Sequence, residues 1–252
     1  MPPKSPYDSI AGMYHALWFD WYLPAAMPAL ERLVFSRVSP GATILDVCCG
    51  SGHVTKELVK RGYRVTGVDN SADLIALAQQ QLPGTEFVVQ DICTLTLPDR
   101  PVDGFDSALS TFDSLNHILS LEDLAQAFRR IYAVLRPSAS FVFDMNLHEA
   151  YTLDLKQWAV DIHDNSVGMV RGQYDSVERR ARTELMWFSR SSTDRDCWRQ
   201  KHTIVEQRCY EREDILAALA EAGFRDIQAS MAIDLGVDPN LGFGRMFVSA
   251  VR

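Results

Sequence analysis

The first residues that could do chemistry are an aspartate and the glycine turn that follows it. Asp46 stands in an apolar run typical of a strand, and Gly50, Ser51 and Gly52 break that run before a helical pattern begins at His53. Because glycine lacks a Cβ, the backbone at such a turn can approach a ligand closely. Unpaired N–H groups at the start of the helix face the same ligand. This order of elements predicts a nucleotide-binding site.

Two further aspartates extend this site. Asp69 stands 17 positions after Gly52, at the end of the next predicted strand, where an acidic residue accepts hydrogen bonds from ribose hydroxyls. Asp91 ends the third strand, so three carboxylates are expected at one edge of the sheet. A dinucleotide site would have a third glycine where this chain has Thr55, and an apolar residue in place of Asp46. The sequence therefore disfavours an NAD-dependent oxidoreductase and favours an adenosyl cofactor without a pyrophosphate.

These residues depend on short apolar runs that alternate with amphipathic helices. Five parallel strands are predicted, over 42–48, 64–69, 86–91, 105–111 and 140–145. Ser71 and Ser120 are predicted helix N-caps, and Pro137 is predicted to end the helix that Ser120 begins. A last helix and two strands, near 226–233 and 245–251, predict a closing antiparallel hairpin. We therefore predict an α/β, Rossmann-like fold with a seven-stranded, mostly parallel sheet covered on both faces.

Two segments fall outside this alternation. Residues 1–40, which are rich in aromatic side chains such as Trp18, predict a helical lid laid over the core. The aromatic side chains either belong to the core or cover a ligand. Residues 147–210 predict a small antiparallel insertion after strand five, and 41–146 with 211–252 form the core. The inserted strands are expected near 166–175, 181–190 and 198–210. The insertion is a candidate wall for a substrate pocket or a candidate homodimer surface. One face of its last strand carries His202, Glu206 and Tyr210.

The motifs ILDVCCGSG, GVDNS and QDI, with the final helix and two strands, resemble class I S-adenosylmethionine-dependent methyltransferases. The resemblance covers roughly residues 40–146 and 211–252 and implies the same cofactor. It implies that Gly50 and Gly52, with Asp46 beside them, contact the amino-acid moiety, and that Asp69 binds the ribose hydroxyls. At the adenine it implies Asn70 beside the ring, Asp91 at the exocyclic amine and Ile92 packed on the ring, and it adds Tyr14, Ser51 and Thr111 as further cofactor-binding residues.

A narrower resemblance concerns the methyl acceptor. The opening Tyr7-Asp8-x-Ile10-Ala11-x-x-Tyr14 and the stretch Phe112–His117 are similar to small-molecule N-methyltransferases, in particular nucleotide-aminosugar N,N-dimethyltransferases. In such enzymes a tyrosine near the position of Tyr7 and a histidine matching His117 lie beside the acceptor. The candidate catalytic residues are therefore Tyr7 and His117, the latter as a base or acceptor-orienting group. A packed or capping histidine is the alternative, and the tyrosine that contacts the cofactor carboxylate is Tyr7 or Tyr14.

Composition and charge limit which classes of partner and which cellular compartment are expected. The formal net charge of −8 and the pI near 5.2 disfavour nucleic acids and anionic membranes, which bind basic surfaces. No apolar run is long enough to span a bilayer, and residues 1–6 lack the apolar core of a signal peptide. The five cysteines include the adjacent Cys48 and Cys49 but no CxxC pair. This predicts reduced thiols in a cytoplasmic protein without a metal site.

The predicted activity is methyl transfer to a nitrogen or oxygen of a small molecule. Such an in-line displacement needs positioning and, for some acceptors, removal of a proton, but no nucleophilic triad. A protein or nucleic-acid methyltransferase is one alternative. It is disfavoured because Thr111-Phe112-Asp113-Ser114 stands where base amino-methyltransferases carry a motif of the Asn-Pro-Pro-Tyr type. The other alternative is an S-adenosylmethionine-binding protein without catalysis.

Overall fold

A computed structural model describes residues 5–17, 19–152, 157–191 and 197–252. Residues 1–4 and Trp18 of the predicted lid, and 153–156 and 192–196 of the predicted insertion, lie outside these ranges. The strands are β1 (Thr43–Val47), β2 (Arg64–Asp69), β3 (Glu86–Val89), β4 (Phe105–Ser110), β5 (Leu135–Asn146), β6 (Ala159–His163), β7 (Ser166–Asp175), β8 (Arg180–Arg190), β9 (Trp198–Arg208), β10 (Arg225–Met231) and β11 (Arg245–Val251). The helices are α1 (Ala11–Leu17), α2 (Phe19–Leu30), α3 (His53–Lys60), α4 (Ala72–Gln81), α5 (Leu121–Val134), α6 (His148–Tyr151), α7 (Arg212–Glu221) and α8 (Pro239–Gly242).

The larger sheet confirms the predicted α/β, Rossmann-like class. Its strand order is β10-β11-β5-β4-β1-β2-β3, and β1 to β5 are parallel. The last strand, β11, runs antiparallel to both β5 and β10, as the predicted closing hairpin requires. The carboxyl ends of β1 to β5 therefore meet at one edge of the sheet, where β11 begins.

Helices cover both faces of this sheet, as predicted. On one face, α5 and α7 bury Phe128 and Leu219, and on the other, α2 and α3 bury Leu30 and Leu58. Each helix places an apolar stripe against the strands, which buries area that would otherwise contact water. Within the described ranges no helix is both long and apolar enough to cross a bilayer.

The predicted helix starts are confirmed, and one predicted helix end is wrong. The Ser71 hydroxyl accepts a hydrogen bond from Leu74 N at 3.2 Å, and the Ser120 hydroxyl accepts one from Asp123 N at 3.0 Å. Helix α5 ends at Val134, and Pro137 lies inside β5 rather than at the helix end. Here the pairing of β4 with β5 shifts register, so a proline without an N–H donor is accommodated in the irregular segment.

The second sheet is antiparallel, with the order β6-β7-β8-β9. The sequence predicted β7, β8 and β9 but missed β6, a short edge strand of five exposed residues that offers only Val160 and Ile162 as an alternating apolar pair. The sheet packs Leu185, Trp187 and Val205 against Ile10 and Met13 of the N-terminal segment. The division into lid, core and insertion, and a homodimer through the insertion, stay predictions.

Candidate active site

A cavity of about 950 Å³ opens at the carboxyl edge of the large sheet. Its wall combines residues that follow β1 to β4, the N-terminal segment, and strands β8 and β9 of the second sheet. Four of the predicted site residues, Asp46, Ser51, Gly52 and Thr111, are not among the described residues that line it. The predicted residues that do line it are Tyr7, Tyr14, Gly50, Asp69, Asn70, Asp91, Ile92 and His117.

Asp69 joins the glycine turn to the end of β2. One of its carboxylate oxygens accepts a hydrogen bond from Gly50 N at 2.9 Å, and the other accepts one from Ser71 N at 2.8 Å. Gly50 has φ +56°, and the ring of Tyr14 comes within 3.4 Å of where a Cβ would stand. Burial raises the pKa of Asp69, and the two backbone N–H groups oppose that rise. The cavity wall therefore presents backbone atoms of a glycine next to a buried carboxylate.

Asp46 lies behind this wall. It is 1% exposed, and its carboxylate accepts a hydrogen bond from the Thr55 hydroxyl at 2.5 Å. Burial raises the pKa of Asp46 to about 7, although the Thr55 bond lowers it. Gly52 is also turned away, because a Cβ there would lie 3.1 Å from the Cβ of Ala78 in α4. In the structure these two residues pack the turn against its helices, and their contact with a cofactor stays a prediction.

Tyr7 and His117 form a hydrogen-bonded pair on the cavity wall. The Tyr7 hydroxyl is 2.9 Å from Nε2 of His117, and Nδ1 of His117 is 2.9 Å from the carbonyl oxygen of Glu206. A carbonyl only accepts, so Nδ1 carries the proton and Nε2 presents its lone pair to the tyrosine. Burial lowers the pKa of His117, against the opposing effect of Asp113. The imidazole is thus neutral at neutral pH and can accept a proton.

The fold, the sequence motifs and known proteins agree on the family. Residues 44–138 match the family model described as a methyltransferase domain. A protein of Geobacillus sp. (strain WCH70), itself named only as a candidate methyltransferase, is 29% identical over 223 residues, which cover 86% of this chain and 88% of that protein. Residues 44–138 of the chain form a methyltransferase domain.

Two solved structures share the fold of this methyltransferase. An S-adenosylmethionine-dependent methyltransferase from Clostridium acetobutylicum ATCC 824 superposes with a TM-score of 0.75 at 20% identity, over 98% of this chain and 99% of that one. The sugar N-methyltransferase KedS8 from Streptoalloteichus sp ATCC 53650 gives a TM-score of 0.78 at 22% identity, over 96% of this chain and 92% of that one. Both alignments include the N-terminal segment and the second sheet, so these additions belong to the shared fold.

Negative charge dominates the cavity of the methyltransferase. Among the described residues that line it, five carry carboxylates and Arg182 alone carries a full positive charge. The guanidinium of Arg182 lies 3.6 Å from a carboxylate oxygen of Glu206, so these two charges largely offset one another. The remaining carboxylates favour a cationic or hydrogen-bond-donating ligand and disfavour an anionic one. They belong to Asp69, Asp91 and Asp123, since Asp113 is paired with Arg245 at 2.7 Å.

The sequence did not assign roles to two side chains that support His117. The Gln207 amide lies 3.3 Å from Nε2 of His117 and donates to Asp113 at 2.6 Å. Asp113 in turn accepts a hydrogen bond from Arg245 at 2.7 Å. Asp113 belongs to the stretch that motivated the narrower resemblance, which could have drawn attention to it. Gln207 had no such signal, because its neighbours in space are about 90 positions distant in sequence.

Of the three residues proposed on one face of β9, Glu206 alone lines the described cavity wall. His202 is 2.9 Å from a carboxylate oxygen of Glu184 on the neighbouring strand. Tyr210 follows the end of β9 and donates its hydroxyl hydrogen to the carbonyl of Ile118. His202 and Tyr210 are therefore not among the described residues that line the cavity. Tyr210 lies past the end of β9, where strand alternation no longer applies, and His202 contacts Glu184.

Proposed function

We propose that this chain transfers a methyl group from S-adenosylmethionine to a nitrogen of a small-molecule amine. The observation that carries the proposal is the neutral His117, whose Nε2 lone pair faces Tyr7 on a wall with excess carboxylates. An amine needs a partner that removes its proton, and its ammonium form is attracted by negative charge. The fold shared with a sugar N-methyltransferase supports the same acceptor class.

The residues on the wall fit the cofactor. Gly50 presents backbone without a Cβ to the cavity, and the Asp69 carboxylate on the same wall would accept hydrogen bonds from ribose hydroxyls. Asp91 and Ile92 follow β3 at the same edge, where Asp91 would accept from an exocyclic amine and Ile92 would pack on adenine. The cavity of about 950 Å³ has room for a nucleoside and a small acceptor together. Bound S-adenosylmethionine supplies an electrophilic methyl group on a sulfonium centre.

Tyr7 and His117 would carry the proton away from the acceptor. The Tyr7 oxygen donates its hydrogen to Nε2 of His117 and keeps lone pairs that can accept an N–H hydrogen from the amine. As the phenol takes that proton, it passes its own to the imidazole. Burial, and next the nearby Tyr14, raise the pKa of Tyr7 well above its usual value, so the phenol stays protonated at rest. The relay leaves a neutral amine with a free lone pair.

The negative charge of the cavity wall disfavours acceptors that are themselves anionic. A carboxylate acceptor, or the phosphates of a nucleic acid, would meet a wall on which carboxylates outnumber cationic groups. A hydroxyl acceptor would tolerate the wall, but it lacks the positive charge that the carboxylates attract. We therefore favour nitrogen over oxygen among the two acceptor atoms that the sequence left open.

The test uses matched acceptors that differ in one group. An amino sugar and the same sugar with a hydroxyl in place of the amine are offered to the enzyme, and release of S-adenosylhomocysteine is measured. We expect turnover with the amine and little with the alcohol. Preference for the alcohol would overturn the choice of nitrogen. Binding of S-adenosylhomocysteine without turnover on any small molecule would support a macromolecular acceptor or a non-catalytic role.

Variants separate the two halves of the site. The change His117→Ala should lower kcat about 100-fold, because it removes the base, and leave the Kd for S-adenosylhomocysteine unchanged. The matched control is His202→Ala, a histidine outside the wall, which should keep full turnover. The change Asp69→Ala should instead weaken cofactor binding, measured by calorimetry. Full turnover in the His117 variant would show that His117 has only a structural role.

A further inference from the structure

The loop that carries Asp113 and His117 has an unfavourable backbone. Phe112 has φ +63° and Asp113 has φ +48°, two successive residues with side chains in the left-handed region. Such conformations are unfavourable for residues other than glycine and persist only where the surroundings hold them. The loop joins the end of β4 to the turn Ser114–His117. Its geometry therefore depends on contacts from outside the loop.

Asp144 on β5 supplies these contacts. One of its carboxylate oxygens accepts a hydrogen bond from Phe112 N at 2.7 Å, and the other accepts one from Asp113 N at 3.0 Å. The first oxygen also accepts from the Tyr22 hydroxyl of α2 at 3.0 Å, and the Tyr22 ring stacks on Phe112 at 4.4 Å. Asp144 is fully buried. Both strained N–H groups are thus satisfied by one carboxylate, which also ties the loop to α2.

Arg245, the first residue of β11, links Asp144 to Asp113. Its guanidinium donates to the Asp144 carboxylate and, through the other terminal nitrogen, to Asp113 at 2.7 Å. Its Nε donates to the carbonyl of Leu241 at 3.2 Å, which fixes the plane of the group. Arg245 is 4% exposed. Two carboxylates and one guanidinium therefore define where Asp113 lies.

The connection continues from Asp113 to the imidazole. The Gln207 amide donates to Asp113, and its nitrogen also lies 3.3 Å from Nε2 of His117. The Nε2 lone pair is shared between this amide and the nearer Tyr7 hydroxyl at 2.9 Å, and both donors oppose a proton on Nε2. The Glu206 carbonyl holds the proton on Nδ1 as long as the loop keeps the imidazole beside it. The position of Asp113 thereby bears on the position of His117 and, through it, on the tautomer.

We propose that Asp144 and Arg245 are positioning residues for the Tyr7–His117 pair. Neither is among the described residues that line the cavity, and both act through the backbone of Phe112 and Asp113 and through Gln207. A purely structural ion pair would hold β5 to β11, but the backbone pairing of Asp144 with Phe247 already does so. The carboxylate of Asp144 faces the loop instead. The inference rests on the proposed role of His117.

The test needs no acceptor. In Asp144→Asn one oxygen becomes an NH₂ group that faces donors, so at least one loop N–H or Arg245 loses its partner. We expect amide hydrogen exchange at Phe112 and Asp113 to become about 100-fold faster, and the ¹⁵N signals of His117 to move from one neutral tautomer to a mixture. The Kd for S-adenosylhomocysteine should stay within about threefold of wild type, because Gly50, Asp69 and Asp91 stand at the ends of β1, β2 and β3 and not in the loop after β4.

The control is Asp106→Asn, which alters a carboxylate at the other end of β4 and should leave the His117 signals unchanged. If Asp144→Asn does not fold, Tyr22→Phe removes the O–H donor to the same carboxylate and also an acceptor that lies 3.0 Å from Phe112 N. Its readout is therefore exchange at Asp113, whose N–H donates to Asp144 and not to Tyr22, and which should become about tenfold faster. A folded Asp144→Asn or Tyr22→Phe protein with unchanged exchange and unchanged His117 signals would overturn the proposal. These signals are read without turnover, so failure here is distinguishable from failure to methylate amines.

Discussion

The two ends of the β4–β5 region each hold an aspartate and an arginine, in opposite surroundings. At the amino end, Asp106 accepts a hydrogen bond from Thr43 N at 2.6 Å and one from Arg136 at 2.7 Å. The side chain of Asp106 is 21% exposed and that of Arg136 is 52% exposed. At the carboxyl end, the side chains of Asp144 and Arg245 are 0% and 5% exposed. Similar chemical groups are thus exposed to solvent at one end and buried at the other.

The pKa values of the two carboxyl groups shift in opposite directions, because one pair is exposed to water and the other is buried. Burial tends to raise the pKa of Asp106, but the Thr43 hydrogen bonds and Arg136 outweigh it and lower that pKa overall. Burial also raises the pKa of Asp144, and there Arg245 only opposes the rise. The exposed pair, Asp106 with Arg136, joins neighbouring strands. The buried pair, Asp144 with Arg245, holds a strained loop beside the reaction site, and loss of either partner would leave an uncompensated buried charge there.

The largest expected difference between the two ends comes from removing each arginine. In Arg245→Met two buried carboxylates lose their cation, and we expect the free energy of unfolding to fall by about 3–5 kcal/mol. In Arg136→Met the exposed pair is lost, with an expected cost below about 1 kcal/mol. Urea unfolding of both variants measures these values. Equal losses would show that burial does not distinguish the two pairs.

A second difference lies in the pH dependence at the carboxyl end, where Asp46 stands on β1. Its folded pKa of about 7 lies above the unfolded value, so the folded state binds a proton more tightly and stability falls as pH rises from about 4 to about 7. The change Asp46→Asn should flatten this slope, and above pH 7 it should be more stable than wild type by about 3 kcal/mol. Chemical unfolding at pH 5 and pH 8 measures the change. An unaltered slope would contradict the raised pKa.

The smallest expected effect has the opposite sign and belongs to the amino end. The folded pKa of Asp106 is lowered, so its contribution is present above the unfolded pKa and is lost as pH falls through the folded pKa. Asp106→Asn should therefore cost about 1 kcal/mol at neutral pH and nothing in acid. Unfolding of wild type and variant at pH 7 and pH 3 provides the measurement. A constant cost at both pH values would assign the loss to packing.

Local patterns in the sequence predicted the elements and the cofactor edge of the site. Apolar runs, the caps Ser71 and Ser120 and the glycine turn are each encoded within a few residues, so the sheet and the aspartates at its edge followed. The strand β6 is five residues long and exposed throughout, so the alternation of Val160 and Ile162 gave too short a periodic signal. Contacts such as Gln207 with His117 depend on how distant segments meet, which spacing along the chain does not encode.

One signal for the buried network was present in the sequence. Asp144 is a lone charge inside the apolar run FVFDM, and a charge in a buried strand requires a partner. The sequence does not say which partner, because Arg245 lies 101 positions away on the antiparallel strand β11. A charged residue within a core strand therefore predicts that a network exists, and the fold determines which residues complete it.

The contact between Tyr7 and His117 also constrains how a newly made chain reaches its final form. The two residues are 110 positions apart, and the carbonyl that fixes the histidine belongs to Glu206, 89 positions further on. At a synthesis rate of about 5–20 residues per second, Tyr7 precedes Glu206 by on the order of ten to forty seconds. Ile10 and Met13 cannot reach the residues of β8 and β9 that bury them until those strands have been made. The contacts that complete this part of the site therefore form late, although Tyr7 and Ile10 are made early.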